Sequence, residues 1–150
     1  ISGLKAGTTY YFMVRNWISD GNYADSDQYP AATKSNVGTF AWTSSDGTLI
    51  ASGQPVSNIT AYAWNDLAAL VNQIRTANGY GTVSIPTVAS GSQITASLFN
   101  TMRGYIAGLN GAGAVIGNVA SGGIIYAAYF ANSTSALKEA VNRAAATANQ

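Results

Sequence analysis

The chain of 150 residues contains no cysteine and no histidine. Without cysteine it can form neither a disulfide framework nor a thiolate zinc site. Without histidine it lacks the usual general base at neutral pH and the commonest metal ligand in proteins. Serines are abundant, but no Gly-x-Ser-x-Gly nucleophile motif accompanies them. We therefore expect no enzymatic activity, no catalytic, cofactor-binding or metal-binding residues, and no cofactor.

Charged residues are also scarce, at 9% of the chain, compared with roughly 25% in typical soluble proteins. The net charge is +1, and no basic or acidic run is present. Binding to nucleic-acid phosphates needs a clustered cationic surface, so we expect no nucleic-acid partner.

One stretch, residues 104–137, contains no charged residue at all. Within it, residues 111–131 are about long enough to span a bilayer as a helix. Five glycines interrupt these residues, at positions 111, 113, 117, 122 and 123, together with Asn118 and Ser121. This composition favours a buried or intersubunit segment, and we expect no membrane span. The candidate interface residues in this stretch are Val115, Ile116, Gly117, Ile124, Ile125, Tyr126 and Tyr129.

A short phrase occurs twice, as residues 59–65 and again as residues 94–100. Apolar residues follow each copy at helical spacing, which predicts two helices over residues 61–77 and 96–109. Thr60 and Thr95 are placed to cap the two helix starts. Each copy then closes on an Asn-Gly pair, and Gly79 and Gly111 are the expected helix stops.

The repeated phrase also predicts which aromatic residues are buried. Trp64 and Phe99 occupy the same position in the two copies, and a fainter third copy from Gly122 places Phe130 there. We expect these three residues to anchor a core. Repeats of this size are supersecondary units that bury a face against their neighbours. Strands precede the helices, so the predicted fold class is α+β.

The N-terminal residues alternate in polarity, as expected for a half-buried strand. Residues 4–14 resemble the end of a fibronectin type III domain, with Leu4 and Tyr10 matching its tyrosine corner. The resemblance covers the last two strands of that family and implies an incomplete domain over residues 1–35. Residues 36–150 then form a helical-repeat assembly module. Asp20, Asn22, Asp25 and Asp27 cluster in a loop that could hold calcium, or that is simply solvated.

The phrase Ile-Thr-Ala, two residues, then Trp or Phe and Asn resembles repeats of phage and prophage virion proteins of the tail appendage, fibre and decoration types. The resemblance implies a structural component of a virion exterior. It would assemble with copies of itself and with other virion proteins, and it could contact host-surface glycan. A secreted bacterial surface or filament subunit, located at the cell surface, is one alternative. A carbohydrate-binding module using exposed aromatic residues is another.

Overall fold

The computed structural model describes residue 4 and residues 7–19, 21–33, 35–43, 45–47 and 59–150. The chain divides into two compact units, Ile1–Asn36 and Val37–Gln150. This division lies one residue beyond the boundary expected from the sequence. The first unit is built from antiparallel strands and the second from helices, so the fold is a mixture of α and β elements.

The N-terminal unit is an extended β-hairpin. Its strands are β1 (Thr9–Phe12), β2 (Arg15–Ser19), β3 (Asn22–Asp25) and β4 (Tyr29–Ala32). β1 pairs with β4 and β2 pairs with β3, so the two pairs are successive stretches of the same hairpin. Between them, the backbone N–H of Ser26 donates to the carbonyl of Val14 at 2.9 Å. This unit therefore has two strands of backbone throughout its described length.

In the C-terminal unit, residues 45–47 are helical, and three longer α-helices lie entirely within the described residues. They are α1 (Ala61–Ala77), α2 (Ala96–Ala107) and α3 (Leu137–Ala148), and a 3₁₀ turn at Ala127–Tyr129 precedes α3. Each α-helix contacts the other two. No helix in the described part of the chain is both long and apolar enough to cross a membrane.

The starts of α1 and α2 follow from the repeated phrase. The hydroxyl oxygens of Thr60 and Thr95 accept hydrogen bonds from backbone N–H groups in the first turns of their helices, at 3.3 and 3.2 Å. These bonds satisfy donors that the helix itself leaves unpaired. The same cap therefore begins both copies of the repeat.

The two helix ends differ from each other. α1 ends as expected, because Asn78 is its C-cap and Gly79 then adopts a left-handed φ of 78°. The expected stop at Gly111 is wrong, since α2 ends at Ala107 with Gly108 as its C-cap. Gly111 lies beyond the helix, in a turn where its φ is 80°. The Asn-Gly pair of the second copy thus shapes the following loop and does not end the helix.

The third copy of the repeat also lies elsewhere than its sequence suggested. The residues after Gly122 form a turn and the 3₁₀ segment, whereas the third α-helix starts at Leu137. Its N-cap is Ala136, whose methyl side chain cannot accept a hydrogen bond. The faint likeness to the first two copies therefore marks a loop that covers the core.

The three predicted anchors are fully buried. Trp64, Phe99 and Phe130 have no exposed surface, and Phe99 and Phe130 meet edge to face with ring centroids 5.7 Å apart. Phe130 also contacts Trp42, whose indole N–H donates to the Phe130 carbonyl at 3.1 Å. Phe130 thus joins the core from the loop before α3, although it belongs to no third repeat.

Candidate interaction surfaces

Asparagine side chains on the helices hold extended segments of backbone. In each case the side-chain oxygen accepts a backbone N–H and the side-chain nitrogen donates to the carbonyl of the same residue. Asn65 holds Val88 in this way at 3.0 and 3.1 Å, and Asn100 holds Val119 with two bonds of 2.8 Å. We call such a pair of bonds an asparagine clamp. In each clamp, a side-chain amide makes the two hydrogen bonds that a neighbouring strand would make to the same residue in a β-sheet.

Two helices carry a second clamp seven residues after the first. Asn72 on α1 clamps Val83, and Asn149, the residue after α3, clamps Val37. A spacing of seven residues is close to two helical turns, so both clamps of a helix lie on the same face. Residues 81–88, although extended, form no β-strand in this described segment, because their backbone bonds to side chains of α1 and not to another strand.

The segment that α3 clamps lies near the N-terminal end of the unit's sequence. Asn142 accepts the Phe40 N–H at 2.7 Å and donates to the Phe40 carbonyl at 3.0 Å. In α1 and α2 the clamped segment follows the helix, whereas residues 37–40 precede α1. This arrangement gives each of the three helices an extended partner.

A buried carboxylate supports the start of α1. Asp46 is fully buried, and its oxygens accept hydrogen bonds from the Thr60 N–H at 2.9 Å, the Thr60 hydroxyl at 2.7 Å and the Thr43 hydroxyl at 2.5 Å. Burial of a carboxylate requires such compensation, and the nearby helix N-terminus adds favourable partial positive charge. Asp46 therefore has a structural role in which both of its oxygens are engaged.

Arginines from outside the charge-free stretch hold it in place. Arg143 on α3 donates to the carbonyls of Ala112, Ala114 and Thr134. Arg103 on α2 donates to the Ile116 carbonyl at 2.7 Å. The backbone of the stretch is thus fixed to the chain's own helices.

The predicted interface residues divide into two groups. Ile125 is buried in the unit's own core, and Val115, Ile116 and Tyr129 are partly buried against that core. The prediction is therefore wrong for Ile125, which has almost no surface left for another molecule. Ile124 and Tyr126 are 52% and 44% exposed, and Gly117 is exposed as well. We call Gly117, Ile124 and Tyr126 the apolar patch residues.

The hairpin exposes aromatic residues on β2 and β3. Trp17 and Tyr23 are cross-strand partners, and Arg15 and Asp25 are the pair two residues further along, which lies on the same face. Arg15 donates two hydrogen bonds to Asp25, at 2.7 and 2.8 Å. These bonds, with a smaller contribution from charge attraction, hold the pKa of Asp25 below its usual value.

The calcium hypothesis gains no support from the described loop. Asp25 is engaged by Arg15, and Asp20 lies outside the described residues. Among the residues that the structure describes, no three acidic side chains come together to hold a metal ion.

Two clefts occupy equivalent positions at the starts of α1 and α2. Their volumes are 600 and 580 Å³, and both are lined mainly by small and hydroxyl-bearing residues. Tyr62 lines the first, and Asn100, already engaged in its clamp, lines the second. No Asp, Glu, Lys or Arg lines either cleft.

The clamps are a feature that the sequence analysis missed. Two signals for them are present in the sequence. Asn65 and Asn100 follow the aromatic anchor in both copies of the repeat, and Asn65 with Asn72 and Asn142 with Asn149 share a spacing of seven residues.

No protein-family model, curated protein or solved structure matches this chain.

Proposed function

We propose that the protein is a structural component of a virion exterior, of the phage tail appendage, fibre or capsid decoration type. It acts by assembling with copies of itself and with other virion proteins, and its outer surface contacts the host. The hairpin then represents the last strands of a fibronectin type III-like domain. The observation that carries this proposal is the exposure of Ile124 and Tyr126 within a stretch that has no charge.

An assembly role fits the chemistry of this stretch. Soluble monomers seldom expose contiguous apolar patches beyond a few hundred Å². The apolar patch residues belong to a loop whose backbone is already fixed by Arg103 and Arg143. A fixed loop loses little conformational freedom when it is covered, which favours its use as an interface.

The helical unit is also suited to a structural task. Five of its asparagines are engaged in clamps, and the buried carboxylate of Asp46 is committed to the start of α1. The two clefts contain no Asp, Glu, Lys or Arg. These features support a non-enzymatic role, in which the unit provides a stable body that displays its surface.

Sedimentation velocity tests the assembly proposal. We expect the intact chain to form oligomers, and we expect Ile124→Lys or Gly117→Asp to shift it to monomer while helix content is unchanged. A side chain at Gly117 meets open space, so that substitution leaves the fold unstrained. Tyr62→Lys is the matched control, because Tyr62 is 75% exposed on α1, outside the patch.

A wild-type chain that remains monomeric at high concentration would contradict the proposal, as would normal oligomers of both patch variants. Electron microscopy of the oligomers separates the alternatives. Closed rings or trimers favour a virion component, whereas open helical stacks favour a secreted surface or filament subunit.

A further inference from the structure

We propose that one face of the hairpin is a binding site for neutral carbohydrate. The face consists of Arg15, Trp17, Tyr23 and Asp25, and we call it the ribbon face. We infer that this face is the surface that contacts the host. The inference rests on the proposed function only for that biological role.

Two aromatic rings form the apolar part of the ribbon face. The centroids of Trp17 and Tyr23 are 5.6 Å apart, and their planes meet at 63°. The Arg15 guanidinium carbon lies 3.9 Å from the Tyr23 ring centroid, so it covers one side of that ring. Trp17 is 66% exposed, and its indole is the open platform of the pair. A sugar ring has apolar C–H surfaces that can pack on such an aromatic plane.

An ion pair forms the polar part of the ribbon face. The Arg15–Asp25 pair uses two of the five N–H donors of the guanidinium and one lone pair on each carboxylate oxygen. The remaining donors and acceptors lie beside the aromatic rings. Neighbouring hydroxyls of a sugar can each donate and accept, so they match a surface that offers both functions side by side.

Charge favours a neutral ligand. Arg15 and Asp25 neutralise each other, and no other charged residue belongs to the ribbon face. An anionic ligand would meet the Asp25 carboxylate, and a cationic ligand would meet Arg15. Phosphate and sulfate recognition instead uses clusters of uncompensated cations.

The exposed aromatic area of the face matches a small ligand. A fully buried aromatic side chain contributes roughly 150–250 Å². At 66% and 49% exposure, Trp17 and Tyr23 together offer about 250 Å². The face therefore suits one or two sugar rings.

The face is also ordered before a ligand arrives. The bidentate ion pair and the contact of Arg15 with Tyr23 fix side chains that would otherwise lose rotational freedom on binding. A preordered site loses less entropy on binding, which matters for a ligand with few contacts.

The test uses the intact chain and an array of immobilised oligosaccharides, with neutral hexose and N-acetylhexosamine glycans beside sialylated and sulfated ones. We expect binding to neutral members. The best of these is then titrated in solution while tryptophan emission and acrylamide quenching are recorded. Of the three tryptophans, Trp17 is exposed, Trp42 is partly buried and Trp64 is buried, so a bound sugar should reduce the quenching of Trp17.

Variants assign the binding to the ribbon face. We expect Trp17→Ala to weaken binding by about tenfold or more, a change equivalent to about 1.4 kcal/mol. Asp25→Asn should also weaken it, whereas Trp17→Phe should retain most of it because a ring remains. Tyr62→Ala is the matched control, since Tyr62 is an exposed aromatic residue in the other unit. Amide spectra of each variant show whether the hairpin cross-strand shifts are retained.

Three outcomes of the binding experiments would overturn the inference, and a fourth concerns assembly. The first three are failure of the intact chain to bind any neutral glycan at millimolar concentration, binding restricted to sialylated or sulfated glycans, and unchanged binding by a folded Trp17→Ala variant. Loss of oligomers in Trp17→Ala would assign the face to subunit contact and would also overturn it. Because the assembly test uses Gly117 and Ile124, failure of either proposal is distinguishable from failure of the other.

Discussion

Two glycines that look equivalent in the sequence have different roles in the structure. Gly79 and Gly111 each follow an asparagine, and their φ angles are 78° and 80°. A Cβ on Gly79 would meet open space, whereas a Cβ on Gly111 would overlap the side chain of Thr147 on α3. Gly111 is therefore required for close packing as well as for its backbone conformation.

This difference predicts unequal effects of the same substitution. Gly79→Ala should lower the free energy of unfolding by about 1 kcal/mol, the approximate cost of a left-handed alanine. Gly111→Ala should lower it by about 3 kcal/mol, because steric overlap with Thr147 adds to that cost. Urea denaturation of both variants measures the difference. Equal losses would show that α3 moves aside without cost.

Trp64 carries a second prediction at the scale of the residue. It is fully buried, yet its indole N–H has no hydrogen-bond partner among the described residues. The second copy of the repeat has Phe99 at this position. Trp64→Ala should lower the free energy of unfolding by about 3–5 kcal/mol. Trp64→Phe should lower it by only about 1 kcal/mol, because removal of the unpaired donor partly offsets the loss of apolar volume.

Thermal and urea unfolding of the two Trp64 variants test this ranking. A loss below about 1 kcal/mol for Trp64→Ala would mean that the side chain is exposed in solution.

At the scale of the element, the helices were accessible from the sequence and the extended segments were not. The threonine caps and apolar spacing of α1 and α2 are local signals, and both helices begin where those signals occur. The segments near Val88 and Val119 are held by side chains 23 and 19 residues away. Such pairing cannot be read from local alternation, because the residues that hold these segments are distant in the sequence.

The clamp between Asn142 and Phe40 predicts a local change in hydrogen exchange. Asn142→Ala removes both bonds to Phe40, so exchange at the Phe40 amide should become faster. The Val119 amide, which Asn100 holds, provides an internal reference and should retain its protection. Native-state hydrogen exchange measures both amides in one sample. Equal acceleration at the two sites would indicate global destabilisation and not the release of a segment.

The hairpin should respond to acid through Asp25. Its folded-state pKa is depressed by the hydrogen bonds from Arg15, so the pair stabilises the hairpin above the unfolded-state pKa, near 3.9. That contribution is lost as the pH falls through the folded-state pKa. The chemical shift of the Trp17 indole, followed from pH 7 to pH 2, should report the loss. Asp25→Asn should flatten the titration.

At the scale of the whole molecule, the sequence indicated two units but misplaced the third repeat. The resemblance of residues 4–14 to a fibronectin type III domain set the expected boundary after residue 35, one residue before the observed division, and the repeat identified Trp64 and Phe99 as core residues. The likeness of residues 125–130 to the first copies was misleading, because Phe130 enters the core from a loop. The third helix that carries a clamp begins at Leu137. It lacks the threonine cap of α1 and α2, and it resembles them in the clamp made by Asn142.

The self-contained core of the second unit predicts that it folds without the first. A chain consisting of residues 37–150 keeps the three helices and all five clamps. Its helical circular dichroism and melting temperature should therefore match those of the intact chain. Loss of cooperative melting in the shortened chain would show that the hairpin contributes to the core.

The clamp between Asn149 and Val37 has a topological consequence. Its bonds of 2.8 and 2.9 Å bring the chain's entry into the helical unit beside its exit from that unit. Adjacent termini are the geometric condition for circular permutation and for insertion into a host loop. A permutant that joins residue 150 to residue 37 through a short linker, with new ends at residues 79 and 80, would preserve every clamp. The unit can therefore be inserted into a loop of another protein without forcing the two ends of that loop apart.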